Sequence, residues 1–430
     1  MRRVTTLNLL NLSALVTRVQ SCKKQFHYKL HSPTRKPNQL KTNNVNRSEH
    51  AIADLKISVG ASLRDVKAEW QNLEAQAQCS YFQSYEWCES WCEVFADTFK
   101  ITPLILVARS ETGKTQFILP LQMRMRFGLR VLEWLSQPEN NYGFGLFNID
   151  RQQNSHDWLR NNLAKVLAVL PSYDVAALAN MPMSLFDTSN PLTSLNRFAS
   201  ADQSFFTKLQ PDFDALHEAK RTSRSISKIR RRDERLLELG ELKLEIANIH
   251  SDTTVALQEI IKHKSAQLTE LGVRNFPTEK ITAFFDTILK NNSPSTSLHV
   301  FQLKQSGQTI SGLVGARFAD TFWLMILAMA PGGPTQFSPG DYVLRKSIAW
   351  ACENNLKFYD FGVGYSNYKE HWADTELQLY NYYAAKSFKG LPLAASFMFY
   401  NAAKRLIKNT PALKSFFFQL RKSLRGKKAV

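Results

Sequence analysis

The sequence predicts an α/β (α+β) protein of two related halves, each a mixed, mostly antiparallel sheet flanked by helices. Three observations point there. The chain has 430 residues, too many for one ordinary core at roughly 150 residues per domain. Its apolar segments switch repeatedly between strand-like runs and helical spacing. A strand–turn–strand pattern also recurs: Gly113 and Gly307 are 194 residues apart, and each precedes a strand with a Leu-containing centre, Ile118-Leu-Pro-Leu121 and Ile310-Ser-Gly-Leu313. Such recurrence suggests duplication of one unit.

The elements follow in order. Residues 52–59 form a first strand and 63–76 a helix. Ser84 is an N-cap, with Glu86 in the first helical turn, where an acid suits the helix dipole. Trp87, Cys88, Trp91, Cys92 and Phe95 share one apolar helix face. Residues 103–109 and 116–125 form a hairpin, 131–136 and 144–148 a further strand pair, 156–170 a helix ended by Pro171, and 173–179 a strand. In the second half, 252–271 and 278–290 are helices, 298–303 and 308–318 a hairpin, 321–330 a buried strand, 341–354 a helix and 358–362 a short strand. Between the halves, 217–239 forms an Arg-rich helix ended by Gly240. This helix is either a solvated linker or a grip on an anionic partner.

The divisions are therefore a basic leader (1–51), a first domain (52–205), a linker helix with an entry strand (206–250), a second domain (251–385) and a basic amphipathic tail (386–430). Net charge is +18, yet residues 1–48 hold ten basic residues and 384–430 hold eleven, with no acid in either. Removing those 21 leaves 34 basic residues against all 37 acidic ones, so the body is not basic. That speaks against a nucleic-acid binder, whose basic face should lie on the fold. Five scattered cysteines do not make a disulfide framework. No Cys/His cluster completes a metal site, so no metal is expected. A reducing, cytoplasmic setting fits. The leader is either a targeting segment or a dispensable extension. The acid-free tail, mixing Phe, Leu and Met with Lys and Arg, suits peripheral contact with the anionic inner face of a membrane.

Chemistry concentrates in residues 322–372. Strand 321–330 is followed by a Pro/Gly loop (331–340), a helix and strand 358–362. The free amides of a helix start favour an anion, and Gly332, Gly333 and Gly340 allow close approach. A pyrophosphate would sit on the amides of Gly340, Asp341 and Tyr342, with Ser338 before them and Met329 at the end of the preceding strand. Asp360 lies in an aromatic strand, where an acid needs a partner or a role. Just past that strand come Gly362, Gly364, Tyr365, Tyr368, Lys369 and Trp372, at the carboxyl end where α/β sheets hold ligands.

The combination Ser338-Pro-Gly340, helix, Tyr359-Asp-Phe-Gly362, Gly364, Tyr368-Lys369 and Trp372 resembles the CelD-like GNAT acetyltransferases associated with cellulose and exopolysaccharide synthesis. Residues 82–91 and 132–142 resemble that family's first half, and the likeness spans roughly 52–385. Two departures are evident: Asn141-Tyr142 stands where the family has Asp-Tyr, and the leader has no counterpart. The resemblance implies tandem GNAT domains related to the FemABX peptidyltransferases, with acetyl-CoA or another acyl-CoA as donor and a sugar, polysaccharide precursor or other envelope-related acceptor. Within it, Asp360 or His263 would assist deprotonation and Lys369 would stabilise the oxyanion or bind an acidic acceptor. Tyr365 or Tyr368 would protonate the leaving thiolate. Arg224, Arg231 and Trp372 would contact the acceptor. Asp360 has an alternative role in holding the next loop through backbone N–H groups. The alternatives to acyl transfer from coenzyme A are aminoacyl transfer from tRNA and a non-catalytic scaffold.

Overall fold

The computed structural model describes residues 48–410 and 413, apart from 53, 77–78, 149–151, 187, 196, 248–249, 272–275 and 292–295. Residues 1–47 of the expected leader and the end of the tail lie outside the described residues.

The first half opens with β1 (Ser48–Ile52) paired to β2 (Leu55–Gly60). Thus the sheet begins just inside the stretch assigned to the leader. Next come α1 (Lys67–Glu74) and α2 (Tyr85–Phe99). Ser84 caps α2 as expected, its hydroxyl accepting the Trp87 amide at 3.1 Å. The hairpin β3 (Ile101–Ser110) and β4 (Thr115–Arg126) leads to β5 (Leu129–Trp134), the short β6 (Leu146–Phe147), α3 (Gln152–Ala168) and β7 (Val175–Pro182). The two-residue strands β8 (Ser184–Leu185) and β9 (Thr188–Ser189) precede β10 (Phe198–Lys208).

The Arg-rich stretch is two helices rather than one, α4 (Phe213–Ala219) and α5 (Ser223–Leu237). Thr222 starts the second by accepting the Ser225 amide at 3.2 Å. A hydroxyl able to cap gives the chain a place to turn. The second half is β11 (Leu242–Ala247), α6 (His250–Glu270), α7 (Thr278–Lys290), β12 (Thr296–Gln305), β13 (Gln308–Phe318), β14 (Thr321–Met329), α8 (Pro339–Glu353), β15 (Phe358–Val363), α9 (Asn367–Trp372) and β16 (Thr375–Ala385). Helix α10 (Leu391–Asn409) closes the described chain.

The halves share one sheet in the order β1-β2-β3-β4-β5-β7-β16-β10-β15-β14-β13-β12-β11. The order is nearly palindromic. The first half runs through five antiparallel strands (β1 to β5) and the second through four (β11 to β14), and each then takes a parallel step, β5 to β7 and β14 to β15. The last strands are exchanged: β16 of the second half pairs with β7 of the first, and β10 of the first pairs with β15 of the second. The aromatic face of α2 extends the union, with Trp87 edge-on to Phe284 of α7 at 4.7 Å between ring centres. Buried apolar contact of this kind makes the halves a single cooperative body. Cys79, Cys88 and Cys352 are buried free thiols, and Cys92 is half-buried.

Candidate active site

Strands β14 and β15 pair only at Thr321↔Phe358, Phe322↔Tyr359 and Trp323↔Asp360. Beyond these residues they part. On its other side β14 stays attached to β13 as far as Ser311↔Met329, with Met325 as an extra residue between the Val314↔Ile326 and Gly315↔Leu324 pairs. Such a bulge bends a strand. The Ser311 hydroxyl fixes the far end by donating to the Ala328 carbonyl at 2.8 Å. The parted strands open a cleft of about 410 Å³, lined among others by Lys264, Leu327, Met329, Gly340, Asn367 and Tyr368.

The start of α8 forms one end of this cleft. Ser338 adopts a left-handed backbone (φ 56°). Its carbonyl accepts the Asp341 amide at 2.9 Å and the Tyr342 amide at 3.3 Å. Pro339 has no N–H. Of the three amides expected to face an anion, two are therefore spent within the helix, and only that of Gly340 has no acceptor among the described residues. Gly340 is close to the floor: a Cβ there would stand 3.3 Å from the Met329 sulfur.

The acid at this helix start is neutralised by arginines. Asp341 accepts from Arg232 and from Arg345, each at 3.3 Å. Arg345 also forks onto Asp233 at 2.7 and 2.8 Å. Arg232 donates to the Ser338 hydroxyl at 3.0 Å, while its buried Nε has no partner. A free helix-start amide, with the neighbouring acid already neutralised, suits an anion. Tyr342 turns from the cleft and packs under Arg345, 5.4 Å from its ring centre.

Arg224 and Arg231 are exposed and do not line the cleft; Arg232 is the arginine of this helix that meets the cleft residues Ser338 and Asp341. The signal was present, since Ile229 and Leu236 are the buried residues of α5. Positions three and four after Ile229, Arg232 and Asp233, must share that inward face.

The expected catalytic residues separate into two groups. Tyr368 lines the cleft, and burial pushes its phenol above the usual range. Asp360 lies deeper, at the point where the strands part. Its carboxylate accepts the Tyr142 hydroxyl at 2.5 Å and the Gly362 amide at 2.7 Å. Burial lifts its pKa to about 6. Lys369 is wholly buried and donates to the Gly362 and Val363 carbonyls at 3.0 and 3.2 Å, and burial lowers its pKa to about 7. Both residues hold the loop after β15, whose glycines Gly362 and Gly364 have φ of 74° and 90°.

Three expected residues lie elsewhere. Tyr365 is turned outward onto Glu370 at 2.5 Å. Trp372 is buried, stacked on His217 at 5.5 Å and beneath Arg221 at 4.8 Å, and does not line the cleft. His263 is half-buried, and burial lowers its pKa; it does not line the cleft, but its neighbour Lys264 does. Lys264 donates to the Leu327 carbonyl at 3.2 Å, and burial brings its pKa to about 8. Sequence reasoning missed Lys264 because helical spacing alone does not separate adjacent polar residues on a half-buried face. Among the described residues no cluster could hold a metal ion.

Residues 223–370 match the family described as "Acetyltransferase (GNAT) domain". No curated protein is detectably similar to the chain. Among solved structures, FemX aligns at 11% identity with a TM-score of 0.52, over 78% of this chain and 98% of FemX. L-PGS from Bacillus licheniformis aligns at 10% identity and 0.45, over 80% and 97%. A tandem GNAT protein from the clavulanic acid biosynthesis pathway aligns at 9% identity and 0.41, over 77% and 99%. Of these three, the FemX likeness supports the fold. The domain match lies on the strands and helix that frame the cleft, so residues 223–370 carry a GNAT acetyltransferase domain, and the match supports an acyltransferase. The narrower cellulose-associated family rests on the sequence motifs alone.

Proposed function

We propose that the protein transfers an acyl group from an acyl-coenzyme A to a hydroxyl or amine of a sugar, a polysaccharide precursor or another envelope-related acceptor. The observation that carries the donor assignment is the cleft between the parted β14 and β15, which ends on the open start of α8. The acceptor class rests on the motif resemblance.

The residues present fit such a donor. The Gly340 amide would hold a phosphate, helped by the helix dipole, with Arg232 and Arg345 neutralising Asp341 beside it. A thioester would supply an electrophilic carbonyl and a good leaving group. The chain's own contribution is mostly positioning, which supplies much of the rate in a two-substrate reaction. Tyr368 lines the cleft and, like any phenol, carries its proton at neutral pH, so it can protonate a departing thiolate. Asp360, Tyr142 and Lys369 fix the loop that carries Tyr368; in this reading they are positioning residues.

Titration calorimetry with coenzyme A tests the assignment. Binding should be measurable in the full chain and lost, by about 10³-fold or more, in Gly340→Trp, which would fill the cleft beside the α8 start. Equal binding by the two proteins would refute the site. Tight tRNA binding without coenzyme A binding would move the donor to an aminoacyl-tRNA, and binding of neither would leave a scaffold.

A further inference from the structure

Helix α10 is apolar on two faces, only one of which is covered. Leu393 and Ala394 pack on Val131, Val175 and Ala177. Asn401 ties the same side to the sheet, donating to the Ala199 carbonyl at 2.8 Å and accepting the Ala201 amide at 3.0 Å. Lys404 and Lys408 both pair with Asp202. The outer side holds Leu391 (54% exposed), Phe399 (76%) and Leu406 (60%), with the exposed alanines Ala395 and Ala402 between them. At about 100° per residue these five positions fall within an arc of about 80°. Phe388, just before the helix, is 92% exposed. A surface helix needs only its inner stripe apolar; large side chains along the outer stripe imply a second contact.

The surrounding charge narrows the choice of partner. Lys386, Lys389 and Arg405 are exposed around the stripe. The nearby acids are engaged from below, Asp174 by Arg130 and Lys389, and Asp202 by Lys404 and Lys408. Residues 384–430 contain no Asp or Glu, and beyond the helix the sequence carries Phe416, Phe417 and Phe418 with Lys414, Arg421, Lys422, Arg425, Lys427 and Lys428. A symmetric contact between two copies would bring these like charges together. No helix among the described residues is long and apolar enough to cross a membrane, so the geometry is that of a helix lying on a surface.

We propose that the outer face of α10 docks flat on an anionic lipid surface. Phe388, Leu391, Phe399 and Leu406 would enter the acyl boundary, while Lys386 and Arg405 meet the headgroups. This docking is independent of the donor assignment.

Vesicle flotation of the full chain tests it. Wild type should float with vesicles of phosphatidylcholine plus phosphatidylglycerol, and more weakly with phosphatidylcholine alone. Salt at ~0.5 M should weaken the headgroup contribution. Phe399→Ser combined with Leu406→Ser should reduce binding by about tenfold or more. Neither residue packs inward, so circular dichroism and coenzyme A binding should be unchanged. If that pair disturbs folding, Phe388→Ser, outside the helix, gives a second reading in the same direction. Absence of flotation, or flotation unaffected by the folded variants, would overturn the proposal. So would a dimer in ultracentrifugation that the double substitution dissociates while vesicles remain unbound.

Discussion

In the first half, β5 and β7 pair at Val131↔Val175 and Leu132↔Ala176 and then part. In the second, β14 and β15 pair at three positions and then part. The topology at the two places is the same, but what lies between the strands differs. In the first half the chain fills its own gap: the Gly143 amide donates to the Asn180 carbonyl at 2.9 Å, and Asn190 donates to the Gly143 carbonyl at 3.2 Å. In the second half the gap remains a cleft. The buried ionisable groups also differ. Beside the closed gap lies a carboxyl, Glu139, with Glu74 buried nearby in the same half; beside the open one two amines, Lys264 and Lys369, accompany the carboxyl of Asp360. A duplicated fold can thus keep one cleft for an anionic donor and use the other as structure, and the lining of each gap records the division.

The sharpest test compares one glycine from each gap. A Cβ on Gly143 would stand 2.2 Å from Trp134 Nε1 and 2.5 Å from the Ala179 carbonyl oxygen. The backbone oxygen cannot move aside, so Gly143→Ala should cost about 4 kcal/mol or prevent folding. Gly340→Ala meets only the end of Met329, at 3.3 Å, and should cost less than about 1 kcal/mol. Urea midpoints for both variants measure the difference, and equal losses would break the contrast between a filled and an open gap.

The buried acids give the next effect. Burial raises Glu139 from 4.5 to about 7 against a hydrogen bond from Trp91, and it raises Glu74 similarly. A carboxyl held above its unfolded value contributes stability that is complete below pH 4.5 and is lost as pH rises through about 7. Wild type should therefore be more stable near pH 5 than near pH 8 as far as these groups govern it. Glu139→Gln still accepts from Trp91 and cannot ionise. Relative to wild type it should gain up to ~3 kcal/mol between those pH values. A pH-independent difference between the two denaturation curves would show that Glu139 is not buried as an acid.

At the open gap, Tyr368→Phe leaves packing intact and removes the one cleft-lining phenol assigned to proton donation. We expect kcat to fall about 10²-fold, equivalent to ~2.7 kcal/mol, with coenzyme A affinity unchanged. An equal loss in affinity would make Tyr368 a binding residue. An unchanged kcat would remove it from the chemistry.

Much of this architecture was legible in the sequence, and the failures have physical causes. Strand β13 and helix α7 were read at their observed bounds and β14 to within one residue, because each has a clean period and clear ends. The central strands β10 and β16 were missed. β10 carries irregularities between Ala199 and Gln203 and between Ser204 and Phe206, which break its alternation. β16 is half-buried through most of its length, so apolar and polar faces do not separate. The exchange of final strands leaves no mark at all on a linear pattern, because either partner offers the same backbone groups. At the site, Gly340, Met329 and Tyr368 were found from the loop–helix–strand order. Arg232 and Lys264 were not, since a run of basic residues does not reveal which of its members turns inward.

The smallest expected effect concerns the contact joining the two gaps. The loop that closes the first gap also carries Tyr142, whose hydroxyl reaches Asp360 at the base of the second. If this bond only holds the loop after β15, its loss should affect stability and positioning together. Tyr142→Phe leaves a carboxylate short of one donor, and Asp360→Asn keeps the acceptor while removing the charge. Each should cost about 1–2 kcal/mol, and the double variant should cost clearly less than their sum, because a bond that Phe has removed cannot also be weakened by Asn. Asp360→Asn should also remove whatever part of the pH slope comes from a carboxyl whose pKa is held at about 6. As that acid too is raised by burial, its contribution is lost as pH rises from about 4 to about 6. Additive losses in the double-mutant cycle would mean that the tyrosine and the acid act separately. The link between the closed gap and the open one would then be ordinary packing through Phe82 and Trp323, both of which touch the Tyr142 ring.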